Sequence, residues 1–310
     1  MVSPVIEPVA RLIEAFARLP GVGPKTAQLE PAQSASAVQP SAAAVPDHKP
    51  APDPVKEFFA SAPKRLEKLR ELLQRAETGT EAASKLGAIK DFAAELDAVK
   101  SAAEYPPLLP AWQLATALDG LVKQLVEKPQ NITTFTLHTV SGAVDVLAQV
   151  CAPGAAAELL ADPPIRLLAV DDDPLSRHAV AFALKKALSQ PDMAANGDAA
   201  LALATQIAYD SVFVDVQMPG MNGFELCKKI HETPLNANTP VVFVTCQSDG
   251  DARAQGVAAG GEDMIAKPFL IFDITVKSVS LVMKRRLANR KQPKSGNETK
   301  AAPLVSAAAT

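Results

Sequence analysis

The most constraining feature of this 310-residue sequence is a series of short apolar runs, between residues 165 and 290, that alternate with amphipathic segments. The clearest runs are RLLAV at 166–170, SVFV at 211–214, PVVFVT at 240–245 and DMIA at 263–266, with a weaker one at 192–194. Runs of this length predict buried strands, and the segments between them predict helices. The alternation predicts an α/β fold with a doubly wound, five-stranded parallel sheet and helices on both faces.

Chemically capable side chains stand where these strands end. Asp171 and Asp172 follow the first strand, Asp215 follows the third, Thr245 ends the fourth, and Lys267 follows the fifth. Because the carboxyl ends of parallel strands meet at one edge, we expect these side chains to lie together. Carboxylates without His or Cys favour a hard cation, Mg²⁺ first. A carboxylate in such a site can act as a nucleophile toward a phosphoryl group.

Four motifs along this segment together resemble a response-regulator receiver domain of the chemotaxis-regulator type. They are VDDDP at 170–174, DVQMPGMNG at 215–223, VTCQSD at 244–249 and KPF at 267–269. The resemblance implies a flavodoxin-like receiver over residues 164–290. It also implies that Asp215 is the phosphoacceptor, and that Mg²⁺ is bound by Asp171, Asp172, Asp215 and the backbone carbonyl of Gln217.

The resemblance also implies how phosphorylation would be sensed. Thr245 resembles the switch hydroxyl and Lys267 the phosphate-sensing lysine, whereas Asp173 is interpreted as a helix cap. Receivers commonly carry Tyr or Phe three residues before the lysine, and this sequence has Met264 there. Either the flexible thioether takes over the packing role of that ring, or activation is weakly coupled.

The functional prediction is a two-component response regulator rather than an enzyme. A histidine kinase or a phosphotransfer protein is the expected phosphodonor, and an unidentified downstream protein is the expected partner. Nothing after Arg290 is long enough for a DNA-binding output domain. The alternative is a receiver fold that is no longer phosphorylated and acts as a structural adaptor.

Residues 55–152 predict a helical bundle, because apolar positions recur there at helical spacing. The helical pattern of this segment weakly resembles a histidine-phosphotransfer domain, and two positions for the family's histidine motif compete. In the first, the position of the phosphorylatable His is occupied by Lys100. In the second, LHTVSGA at 137–143 keeps His138 and Gly142 but has Ser141 where Lys is expected. A degenerate bundle that acts through contacts and an unrelated helical domain are the other interpretations.

The N-terminal part differs in composition, since ten of the 26 prolines precede residue 55. Residues 1–28 predict a helix-hairpin fragment, and 29–54 a disordered linker. VARLIEAFARLPGVGPKTAQ at 9–28 resembles the start of RecR-type recombination mediators. In that family the Gly-Val-Gly turn approaches a DNA phosphate with Lys25 nearby, so a DNA-linked accessory role is a further alternative.

Net charge, hydropathy and cysteine content indicate which partners and which cellular compartment to expect. A net charge of -3 and a pI of about 5.9 give no strong field for nucleic acid, which is not an expected partner. No apolar run approaches the length of a membrane helix. Three cysteines without metal spacing suit a reducing compartment, so we expect a cytoplasmic protein. The basic residues from Lys284 to Lys294 are interpreted as a solvated helix terminus, and 291–310 as a disordered tail.

Overall fold

The computed structural model describes residues 53–152, 159–160, 163–246 and 250–291. The described part begins with four helices: α1 (Pro54–Thr78), α2 (Ala82–Ala102), α3 (Leu109–Glu127) and α4 (Thr134–Val150). Short 3₁₀ turns at Pro106–Leu108 and Pro129–Asn131 precede α3 and α4. Pro110 lies in the first turn of α3, where its missing N–H costs no hydrogen bond.

The second half alternates strands and helices as predicted. The strands are β1 (Leu167–Val170), β2 (Asp192–Ala194), β3 (Ser211–Val214), β4 (Val241–Thr245) and β5 (Asp263–Ala266). The helices are α5 (Pro174–Ala187), α6 (Gly197–Ala204), α7 (Gly223–Glu232), α8 (Gly250–Ala258) and α9 (Ile271–Lys291).

All five strands pair in parallel, in the order β2-β1-β3-β4-β5. The predicted α/β class and doubly wound sheet are therefore confirmed. Strands β1 and β3 are neighbours in register, with Val170 opposite Val214. The residues that follow these two strands consequently emerge side by side.

Alternate strand residues belong to two buried clusters on the two faces of the sheet. The first cluster includes Phe213 and joins the sheet to α5, α9 and all four N-terminal helices. The second includes Phe243 and joins the sheet to α6, α7 and α8. The N-terminal helices and one face of the sheet therefore share a continuous apolar core.

Helix starts follow local chemistry. The Asp173 carboxylate accepts a hydrogen bond from the Ser176 N–H at 2.8 Å, which confirms the predicted cap of α5. Asn196 and Asn222 cap α6 and α7 in the same way. Thr133 and Thr136 form a capping box at α4.

The helical spacing of residues 137–151 predicts which side chains of α4 face the core and which face solvent, and both faces are confirmed. Val140, Val144 and Leu147 are buried, whereas His138 and Gln149 are exposed. Over the described ranges, no helix has the length and apolar character needed to cross a bilayer. The predicted hairpin at 1–28, nearly all of the predicted linker and the tail beyond Lys291 lie outside the described residues.

The basic run near the C-terminus was expected to be a solvated helix end, but two of its arginines make buried or half-buried contacts. The Arg286 side chain is buried and donates to both carboxylate oxygens of Asp210, at 3.1 and 3.2 Å. It also donates to the carbonyls of Leu159 and Pro163. Arg285 contacts the hydroxyl oxygen of Thr239 at 2.8 Å. These two guanidinium groups tie α9 to the sheet and are not free for nucleic acid.

Gly120→Ala is expected to destabilise the protein by about 1–3 kcal/mol, because helix α3 packs very closely on α9. A Cβ at Gly120 would lie 2.2 Å from Cε1 of the Phe272 ring. Gly142→Ala is a matched control, since a Cβ there meets nothing within 4 Å and Ala favours a helix by about 1 kcal/mol. Urea unfolding measures both variants, and equal stability of the two would contradict the packing.

Candidate functional site

The candidate site lies at the carboxyl edge of the sheet, where β1 and β3 run side by side. The Asp215 N–H donates to the Val170 carbonyl at 2.8 Å, which holds the start of the loop after β3 against β1. Carboxylate oxygens of Asp171, Asp172 and Asp215 lie within 4.8 Å of one another. The sequence prediction that these three acids converge agrees with this placement.

The burial of the three acids differs. Asp171 and Asp215 are 3% and 6% exposed, whereas Asp172 is exposed. Lys267 bridges the two buried acids, with Nζ 2.8 Å from Oδ2 of Asp171 and 3.0 Å from Oδ1 of Asp215. One cation therefore already neutralises part of the negative charge at the bottom of the site.

The electrostatics of Asp215 and Lys267 follow from this geometry. Burial is the main cause that raises the pKa of Asp215, and the charges of Asp171 and Asp172 add to it against the opposing contact with Lys267. Burial alone would lower the pKa of Lys267, but its contacts with Asp171 and Asp215 raise it. The lysine therefore stays protonated at neutral pH, while Asp215 bears an unfavourable negative charge.

The donor chemistry fits a divalent cation. All three converging groups are carboxylates, which are hard oxygen donors of the kind that Mg²⁺ prefers. The carboxylate oxygens are at most 4.8 Å apart, which is close to the roughly 4.2 Å between two oxygens that a Mg²⁺ ion would hold on opposite sides. Asp171, Asp172 and Asp215 are thus able to hold the ion with little rearrangement.

Thr245 and Gln217 complete the predicted set. Thr245 is fully buried at the last position of β4, opposite Ala266 in the sheet register. Its carbonyl accepts the backbone N–H of Lys267 at 2.8 Å, so the ends of β4 and β5 are joined beside the acids. Gln217 is exposed on the loop after Asp215, and the ligand role of its carbonyl remains a prediction.

Two residues of the site were not singled out from the sequence. The Ser176 hydroxyl donates to Oδ2 of Asp171, and the Arg177 guanidinium donates to the backbone carbonyl of Asp171. Both lie in the first turn of α5, which starts at the Asp173 cap. The predicted cap at Asp173 could have identified both residues, because the first turn of a helix that begins at Asp173 lies over the end of β1.

A close approach of the backbone also shapes the site. A Cβ at Gly223 would lie 2.3 Å from the Asp215 carbonyl oxygen and 2.9 Å from Cα of Val216. Only glycine therefore lets α7 begin this close to the strand end. The peptide bond between Lys267 and Pro268 is cis.

The two candidate phosphotransfer positions in the helical half differ in their surroundings. Lys100 makes ion pairs of 2.8 Å with Asp97 and with the buried Asp119, so it acts as a structural cation. His138 is exposed, with Nδ1 3.6 Å from Oδ1 of Asp263 on β5. The resemblance to a phosphotransfer domain remains a prediction.

Comparisons with known proteins agree with the geometry of the sheet edge. Residues 167–277 match the family model of the response regulator receiver domain, and residues 9–28 match that of the RecR helix-hairpin-helix. The chain therefore contains a response regulator receiver domain, a module of two-component signalling, as the sequence motifs predicted. The resemblance at 9–28 is also confirmed at the level of sequence.

Individual relatives match the same half of the chain. The transcriptional regulatory protein ResD of Bacillus subtilis is 32% identical over 117 residues, which are 38% of this chain and 48% of ResD. The signal transduction histidine-protein kinase BarA of Escherichia coli is 31% identical over 102 residues, 33% of this chain and 11% of BarA. The chain thus spans less than half the length of these relatives.

A solved structure of the chemotaxis protein CheY4 of Vibrio cholerae is also similar. It is 32% identical, and the match covers 35% of this chain and 91% of the CheY4 chain, with a TM-score of 0.34.

Replacement of Asp215 by Asn is expected to change how stability depends on pH in Mg²⁺-free buffer. The raised pKa means that folded Asp215 holds a proton at pH values where the unfolded chain, with its ordinary value of 3.8, has lost it. The contribution of Asp215 to wild-type stability therefore falls as pH rises through the window above about pH 4. Asn has no such proton, so the unfolding free energy of the variant relative to wild type rises with pH. Urea unfolding across the window measures the difference, and a flat difference contradicts the assignment.

Proposed function

We propose that this chain is a two-component response regulator that accepts a phosphoryl group on Asp215. The single observation that supports this most strongly is the bridging of Asp171 and Asp215 by Lys267 within the acidic cluster. An acid cluster with a lysine between two of its members provides a nucleophile, metal ligands and a partner for the incoming phosphoryl oxygens. An acid cluster that only capped helices would not need a lysine between two buried carboxylates.

In the proposed reaction, a carboxylate oxygen of Asp215 attacks phosphorus in a phosphohistidine of the donor protein. The new O–P bond forms as the N–P bond breaks, and the leaving imidazole nitrogen takes a proton from solvent. The burial that raises the pKa of Asp215 also removes water from around the carboxylate, which makes its oxygen a better nucleophile.

The surrounding residues position the groups that react. Ser176 and the backbone N–H of Asp173 hold the two oxygens of Asp171, so that this carboxylate keeps its orientation. Lys267 is proposed to pair with one oxygen of the phosphoryl group after transfer. The Thr245 hydroxyl is proposed to donate a hydrogen bond to another of its oxygens. When bound, Mg²⁺ supplies charge neutralisation for the phosphoryl oxygens, and Asp171, Asp172 and Asp215 would hold it.

The phosphodonor, the output and the class of protein are part of the same proposal. The phosphodonor is a histidine kinase or a phosphotransfer protein, and the output is a contact with another protein. The chain acts as a regulator that is modified once and not as an enzyme that turns over a substrate. The retention of every chemical group at the sheet edge favours this over the alternative of an unphosphorylated adaptor.

Intact-protein mass spectrometry of the full chain with acetyl phosphate tests the proposal. We expect the mass of one phosphoryl group to be added when Mg²⁺ is present and not when the metal is chelated. An unchanged mass under both conditions would favour the adaptor.

A further inference from the structure

A cleft lies between helix α4 of the helical half and helix α9 of the receiver, next to the start of β5. Its volume is about 280 Å³, near the lower end of the range for small-molecule sites. Polar side chains from both halves line it: His138 on α4, Glu262 and Asp263 at the start of β5, and Lys277, Ser280 and Lys284 on α9. The cleft shares no residue with the acidic cluster at the carboxyl edge of the sheet.

Two buried groups on α9, which form the floor of the cleft, have unused hydrogen-bond donors. The Lys277 side chain is 4% exposed and makes one hydrogen bond among the described residues, to Oδ2 of Asp263, although an ammonium group carries three donors. Ser280 is 7% exposed, and its hydroxyl oxygen has no partner within the described ranges. Helix positions three apart lie on the same face, so both groups line the same part of the cleft. Asp273 also lies near Lys277, but burial raises the pKa of Asp273 and so disfavours its negative charge.

The acids of the lining already have donors. Both oxygens of Asp263 accept hydrogen bonds, Oδ2 from Lys277 and Oδ1 from the backbone N–H of Met264 at 2.7 Å. Glu262 accepts from the Lys284 ammonium at 2.5 Å. The cleft therefore has more unused donors than unused acceptors, and a ligand that fits it must bring acceptor oxygens.

The charges of the lining favour an anion over a cation. Lys277 and Lys284 balance Asp263 and Glu262, so each acid of the lining already has a cation beside it. His138 and Lys284 are exposed and form the mouth of the cleft, and protonation of the imidazole adds a positive charge there. Hydrogen bonds from ammonium groups to anionic oxygens are stronger than those between neutral groups. A bound oxyanion would therefore use the donors that the lining leaves open.

We propose that this cleft binds a small oxyanion, a molecule with a carboxylate or phosphate group, between the helical half and the receiver. Lys277 and Ser280 donate to its oxygens from the floor, and Lys284 and His138 contact it at the mouth. The ligand touches both halves at once, so its binding stabilises the contact between them. The site does not depend on phosphorylation of Asp215 and gives the chain a second chemical input.

An NMR titration of the full chain in Mg²⁺-free buffer tests the site, with inorganic phosphate in one arm and acetate in the other. We expect saturable shifts of the His138 imidazole and of the amides of residues 277–281, half complete at about 1 mM or below in at least one arm. The arm that saturates at the lower concentration identifies the class of oxyanion. No saturable change at these positions in either arm would overturn the proposal, because water alone would then complete the open donors.

Variants of the donors test which groups bind the oxyanion. Ser280→Ala removes a hydroxyl without a described partner, so we expect stability to be kept and binding to weaken about tenfold. Lys284→Gln removes a cation at the mouth and is expected to weaken binding about threefold. Lys185→Gln, at an exposed position of α5 outside the lining, is the matched control and should bind like the wild type. Equal affinity of the wild type, Ser280→Ala and Lys284→Gln would refute the assignment of these donors.

A bulky side chain at Gly142 tests the location of the site without removing a donor. Gly142 lines the cleft, and a Cβ there would meet nothing within 4 Å. Leucine favours a helix, so Gly142→Leu is expected to fold, while its side chain takes up room in the cleft and weakens binding at least about tenfold. Wild-type affinity in a folded Gly142→Leu variant would show that the oxyanion binds elsewhere and would overturn the proposal.

Discussion

Asp215→Asn is expected to lower phosphoryl incorporation from acetyl phosphate by at least about 100-fold, because an amide oxygen is a poor nucleophile and forms no stable acyl phosphate. The substitution keeps the size of the side chain and one oxygen acceptor for Lys267. The fold is therefore expected to survive, and the loss would report the missing carboxylate. Intact-protein mass spectrometry over a time course gives the incorporated fraction.

Asp198→Asn is the matched control for this loss. Asp198 allows the same Asp→Asn change at an exposed position in the first turn of α6, and it is not one of the three converging acids. Wild-type incorporation is expected in this variant. Retained incorporation in Asp215→Asn, or an equal loss in both variants, would show that the acceptor is not Asp215.

Arg286→Ala is expected to lower the free energy of unfolding by about 3–5 kcal/mol, the cost of leaving a buried charge without its partner. The guanidinium lies 7% exposed and satisfies both oxygens of Asp210 together with the carbonyls of Leu159 and Pro163. Its removal takes this donor from the carbonyls of Leu159 and Pro163 and from Asp210, which keeps the backbone N–H of Arg166 at 3.0 Å, at the point where the chain enters β1. Urea unfolding, monitored by circular dichroism, measures the change.

Arg290→Ala belongs to the same basic run and serves as the control. Arg290 is exposed, so its removal is expected to change stability by less than about 0.5 kcal/mol. A loss below about 1 kcal/mol for Arg286→Ala would mean that the buried network contributes little.

The receiver half could be predicted closely because its signals are local. Strands β1, β3, β4 and β5 are apolar runs that each end at a chemically capable residue, and their parallel pairing brings these residues to one edge of the sheet. Met264 was identified from its distance to Lys267 along the chain. Its packing between β5 and α8 depends on the sheet and was not visible in the sequence.

The interaction between the two halves could not be predicted for the same physical reason. The amphipathic pattern of α4 correctly exposed His138 but did not reveal that Asp263 lies 3.6 Å away. Likewise, Arg286 looked like part of a basic patch, because its acceptors at Asp210 and Leu159 are distant in sequence. Periodicity reports which face of a helix is buried, whereas the partner of that face is decided by tertiary packing.

The most direct test of the central proposal is to locate the phosphoryl group after treatment of the full chain with acetyl phosphate and Mg²⁺. Borohydride reduces an acyl phosphate on aspartate to homoserine, and peptide mass spectrometry then identifies the reduced position. The account predicts homoserine at position 215 in the wild type, dependent on Mg²⁺. Homoserine at another aspartate, or none despite a phosphorylated intact mass, would contradict it.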